Sequence, residues 1–70
     1  MEYLVIFEEG ARNFSAYSPD LPGCVAVGED FDETLHEMEA AIRFHIEGLR
    51  ENHLEVPEPR TRAQYITAVA

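Results

Sequence analysis

Hydrophobic and polar positions change their repeat once along this 70-residue chain, and that change separates strands from a helix. Tyr3–Phe7 is an unbroken run of aromatic and aliphatic side chains ended by Glu8, Glu9 and Gly10, the pattern of a strand entering a turn. Asn13–Ser18 alternates polar and apolar, as a half-buried strand does, and the short Glu9–Arg12 link predicts a hairpin. Cys24–Val27 predicts a third strand, entered through Pro22 and Gly23 and left at Gly28. From Asp30 the period becomes helical: Phe31, Leu35, Met38, Ile42, Ile46 and Leu49 recur every three or four residues and make one apolar stripe. Asp30 is a suitable N-cap with Glu33 at capping-box spacing, and Asn52 is expected as a left-handed stop. Pro57 and Pro59 bar any continuation, and Tyr65–Val69 predicts a last strand.

The predicted order is β-β-β-α-β, an α+β fold in which an antiparallel-rich sheet carries one helix on one face, with residues 1–70 forming one domain. One helix covers one face only. Yet Tyr3, Val5 and Phe7 project one way from the first strand while Leu4 and Ile6 project the other. Ala41 and Phe44 add an apolar strip beside the main helix stripe. Exposed apolar area of this kind marks an interface. These seven residues, with Asp20, form the candidate interface, and the simplest occupant is a second copy, giving a homodimer or tetramer. A chain this short is marginally stable alone, which favours the same expectation. An open sheet edge offers a further contact between copies.

Pro19, Asp20, Pro22, Gly23 and Gly28 fix the backbone path between the second and third strands and the helix. Asp20 is expected to accept N–H bonds within that turn, or else to meet a partner. The remaining candidates for chemistry read as structural. His36 and His45 stand nine residues apart, on opposite sides of a helix, and with His53 they give no pair at the spacing of a helical metal site. Cys24 has no neighbour to lower its pKa and reads as a small buried strand residue. Glu29, Asp30, Asp32 and Glu33 cluster where helix capping explains them, and the middle of the first strand, where a two-metal nuclease would need an acid, is apolar. Serines 15 and 18 lack a glycine-flanked elbow, and no glycine-rich phosphate loop occurs. No catalytic, cofactor-binding or metal-binding residue is therefore expected.

Net charge sharpens the choice of partner. The chain carries −9, with five arginines and no lysine. Such a field repels phosphate backbones, which disfavours direct nucleic-acid binding, and attracts basic protein surfaces besides aiding solubility. Arg60 and Arg62 lie in the proline-containing tail, where acids of a second copy are within their chemistry. No run is long enough to span a membrane, the start lacks the basic region of a signal peptide, and the lone cysteine suits a reducing compartment; a cytoplasmic location is expected.

Taken together, the strand ending in Tyr17-Ser18, the Pro19-Asp20-Leu21-Pro22-Gly23-Cys24 turn, Gly28, the acidic helix with Glu39-Ala40-Ala41-Ile42 and the Val56-Pro57-Glu58-Pro59 exit resemble the HicB-type antitoxins. The resemblance covers nearly all of the chain. It implies a partial ribonuclease-H-like module without the nuclease's acidic centre. It also implies a non-catalytic function: binding a small basic HicA-type mRNA-cleaving toxin and masking its catalytic histidine. Many such proteins carry an additional C-terminal DNA-binding module that represses their own operon; this chain stops at the predicted last strand, so that role is not expected of it. Other readings from the residues are an oligomeric scaffold for some other basic protein and, more remotely, a small metal-dependent nuclease.

Overall fold

A computed structural model describes residues 1–69. Strand β1 (Ile6–Glu9), β2 (Phe14–Tyr17) and β3 (Val25–Gly28) form an antiparallel sheet in the order β1-β2-β3, followed by helix α1 (Phe31–Glu51). The register places Ile6, Tyr17 and Val25 in one row and Phe7, Ala16 and Ala26 in the next. Rows alternate between faces. The Phe7–Ala16–Ala26 row therefore lies under the helix, which packs across β3 and β2. Ala16, Leu21, Cys24, Ala26 and Met38 form the buried core, with Tyr3, Val5, Phe7, Ala41 and Ile42 around it. Phe31 lays its ring against Phe7, centroids 4.4 Å apart, and edge-on to Phe14 at 6.4 Å.

The helix seat is built from three residues. Asp30 caps the first turn, its Oδ1 accepting the Glu33 N–H at 2.8 Å. The fully buried Thr34 donates its hydroxyl to the Asp30 carbonyl at 2.7 Å, which satisfies a polar group that burial would otherwise penalise. Gly28 lies against Thr34 so closely that a Cβ there would stand 2.5 Å from Thr34 Oγ1 and 2.8 Å from its amide nitrogen. The glycine is thus required by the approach of the helix to the sheet. Gly23, by contrast, meets nothing and is required by its backbone, at φ 83°.

Three expectations are corrected. Tyr3–Val5 are extended but outside the ladder, because β2 ends at Tyr17 and turns away; Leu4 loses its strand partner, and its carbonyl accepts the Ser18 hydroxyl instead, at 2.9 Å. The helix stop is displaced by one residue: Asn52 is not left-handed, whereas His53 is, at φ 57°. The Leu54 amide reaches back to the Leu49 carbonyl and the His53 amide to that of Arg50, which is the Schellman arrangement with histidine where glycine is usual. Finally, Tyr65–Val69 forms no strand within the chain. Its approach is pinned beside the Ser18–Cys24 turn, and a groove separates Ala63–Tyr65 from the free edge of β1. The observed order is β-β-β-α.

Two substitutions separate these backbone effects. Gly28→Ala forces Thr34 to move and is expected to cost about 1–3 kcal/mol, the usual range for overpacking. His53→Gly relieves a left-handed side chain and is expected to gain about 0.5–1 kcal/mol, part of the left-handed penalty being offset by glycine's freedom in the unfolded chain. Urea titration followed by far-ultraviolet circular dichroism reads both; opposite signs are expected, and a neutral Gly28→Ala contradicts the close seat.

Candidate functional site

The face of the sheet away from α1 is uncovered. Its middle row is Ile6, Tyr17 and Val25, flanked by Glu8, Ser15 and Val27. Val25 is 62% and Val27 58% exposed, values far above those of their helix-side neighbours Ala26 and Cys24. Leu4 and Ile6 continue this surface to the edge of the sheet, where Leu4, Val5, Ile6, Phe7 and Phe31 line one side of an open groove. The edge itself is β1, hydrogen-bonded to β2 on one side only.

The eight residues of the expected interface therefore do not share one surface. Tyr3, Val5 and Phe7 pack against the core beneath the helix side. Leu4 and Ile6 belong to the open face and edge. Ala41 also packs against the core, whereas Phe44 stands 73% exposed on the helix, away from the sheet. Tyr17, Val25 and Val27 were not singled out from the sequence, although the alternation around Ala26 carried the signal. Asp20 is taken up by the chain's own tail.

The turn that carries Asp20 is held by two successive backbone bonds, Leu21 N–H to the Ser18 carbonyl at 3.1 Å and Cys24 N–H to the Leu21 carbonyl at 3.0 Å. They drive Leu21 into the core, where it is fully buried. Asp20 is left pointing outward. Its Oδ2 accepts the Thr61 amide at 2.9 Å and the Arg60 amide at 3.0 Å, and its Oδ1 accepts the Thr61 hydroxyl at 2.8 Å. The Thr61 amide, then the Thr61 hydroxyl and the Arg60 amide, hold this carboxyl below its ordinary pKa against a smaller opposing effect of burial. Tyr3 adds a second tie by donating its hydroxyl to the Pro57 carbonyl. No local sequence signal announces a contact between residues some forty positions apart.

Little in the site suits bond-making chemistry. Cys24 is buried, and burial pushes its thiol up, away from the thiolate a nucleophile needs. Glu8 and Glu9, the acids of β1, point to opposite faces at its end. Among the described residues no three His, Cys, Asp or Glu side chains are grouped to hold a metal ion. Among the described residues no helix is long and apolar enough to cross a membrane. The outer side of α1 is instead a display of charge: Asp32, Glu33, Glu37, Glu39, Glu47 and Glu51 are all exposed, against Arg43 and Arg50.

The described residues form a three-stranded antiparallel sheet with one capped helix and an acidic outer side. The chain belongs to the HicB-like antitoxins of bacterial toxin-antitoxin systems, whose family model matches residues 3–69. It is 35% identical over 66 residues to an uncharacterised 14.9 kDa protein from the rep-hol intergenic region of Haemophilus phage HP1, spanning 94% of this chain but only 50% of that one. A UPF0150 protein of Thermoplasma acidophilum is 34% identical over 71 residues, the full length of both. Among solved structures, a chain of a HicA3 and HicB3 toxin-antitoxin complex superposes with a TM-score of 0.73 at 28% identity, covering 86% of this chain and 70% of that one.

The Asp20 tie is expected to respond to acid. Its pKa is lower folded than unfolded, so its contribution is fully present above the unfolded value of about 3.9 and fades as pH falls through the folded one. Amide exchange at Thr61 is expected to be flat between neutral pH and the ordinary carboxylate range, after allowance for intrinsic rates, and to rise below it. Asp20→Ala should remove that step. A Thr61 amide protected alike in the wild type and in Asp20→Ala contradicts the assignment.

Proposed function

We propose that this chain is the non-catalytic antitoxin of a pair, binding a basic HicA-type ribonuclease and masking the surface with which it cleaves mRNA. The observation that carries the reading is the family match over residues 3–69. The likeness to a chain of a HicA3 and HicB3 complex supports the kind of partner. The charge supports the kind of surface. A ribonuclease that grips RNA phosphates presents arginine and lysine, and a chain of net charge −9 is the complementary field. The carboxylates along the outer side of α1 supply much of that field.

Association of this kind is steered by long-range charge and then held by contact. The steering part is screened within about 10 Å at 0.1 M salt. The apolar open face and Phe44 are available for the part that salt does not screen. The reading places no catalytic step on this chain. Its work is occlusion, so stoichiometry decides the effect.

The test uses a purified HicA-type toxin encoded beside this chain and an RNA substrate. Cleavage is expected to fall in proportion to added antitoxin and to stop once antitoxin matches toxin. The association rate is expected to drop by about tenfold or more as salt is raised from low to high ionic strength. Undiminished cleavage at excess antitoxin overturns the reading.

A further inference from the structure

Residues 62–69 have the composition of a strand and none of its bonds. Tyr65, Ile66, Thr67, Ala68 and Val69 are aromatic, β-branched or small, yet Tyr65 is 100% and Ile66 84% exposed. No backbone–backbone hydrogen bond joins any of these residues to the sheet. The free edge of β1 is in the matching condition. It is bonded to β2 alone, carries its two charges, Glu8 and Glu9, at the far end only, and faces an apolar groove along Leu4–Phe7. The chain therefore carries both an unpaired strand and an unfilled place for one.

The two are near each other but not joined. The Asp20 clamp on Arg60 and Thr61 fixes where the tail leaves the body. Ser18, in the same turn, is bonded to Leu4, so the tail departs close to the leading end of β1. Past that point the groove opens between Ala63–Tyr65 and Leu4–Phe7. The chain is correspondingly extended. Its radius of gyration is 13.9 Å, against about 11 Å for a compact chain of this length.

We propose that residues 62–69 add as a strand to the β1 edge of a second copy, and that the exchange is reciprocal. Eight extended residues span about 26 Å, more than the length of β1 and the extended residues before it. A reciprocal exchange closes: each copy gives one strand and receives one, so neither β1 edge remains to recruit a third chain. The inference stands on the tail and the edge and is independent of toxin binding.

Hydrogen exchange of the full chain, read by mass spectrometry beside light scattering, tests it. Ile66→Pro removes an N–H and bars pairing within a strand, at an exposed position that the three-stranded body does not use. The wild type is expected to be dimeric at tens of micromolar, with residues 64–69 protected, and to lose both dimer and protection on dilution. Ile66→Pro is expected to have half the wild-type mass, unprotected residues 64–69 and unchanged helix content. A wild-type monomer at all concentrations overturns the proposal. So does a dimer that Ile66→Pro leaves intact, or protection of 64–69 that dilution does not alter, which is the signature of a tail closing on its own β1.

Discussion

The contact on which the rest of this structure depends is the one between Gly28 and Thr34. It seats the first turns of α1 directly on the end of β3, where Gly28 presents no side chain to Thr34. From that seat the helix lies over β3 and β2. A helix of 21 residues is about 31 Å long, whereas a four-residue strand is about 13 Å long. The second half of α1 must therefore overhang the sheet. This explains why Met38 is buried while Ile42, Ile46 and Leu49 are only half-buried, and why Tyr3 and Pro57 are tied together.

With the helix committed to one face, the other has no cover from the chain itself. The open face, the β1 edge and the unpaired tail are three aspects of one deficiency, a fold that stops short of enclosing its own apolar surface. The deficiency agrees with membership of an antitoxin family. Several of the chain's polar groups are spent on structure: the Cys24 thiol is buried, Asp30 caps the helix, and Asp20 holds the tail. Charge and apolar area are divided between different parts of the molecule. Carboxylates line the outer side of the helix, and the aliphatic side chains lie across the opposite face of the sheet.

What was legible in the sequence followed the strength of local signals. The helix start at Asp30 was plain because a capping aspartate followed by a three-and-four repeat has few other readings. The three strands were placed within a few residues, and the error in the first came from Tyr3–Val5, whose β propensity is real but whose pairing depends on where β2 turns. Leu21 and Thr34 were not recognised as core residues. One lies in a proline-flanked turn and the other is polar, and both are buried by tertiary geometry that propensity does not express. Tyr17, Val25 and Val27 were not singled out, although the alternation around Ala26 carried the signal, and the register groups Tyr17 and Val25 with Ile6 on the open face. The expected last strand over Tyr65–Val69 does not form: its composition is that of a strand, but no backbone bond joins it to the sheet, and local pattern carries no information on pairing.

The central claim is that one chain cannot hide its own apolar face. Small-angle X-ray scattering on the intact chain over a dilution series measures this directly, because forward scattering gives the mass of the particle and its slope gives the size. The account predicts a mass of two or more chains at the concentrated end and a particle larger than the 13.9 Å radius of gyration of the single chain. A mass of one chain throughout, with a radius below that value, contradicts it.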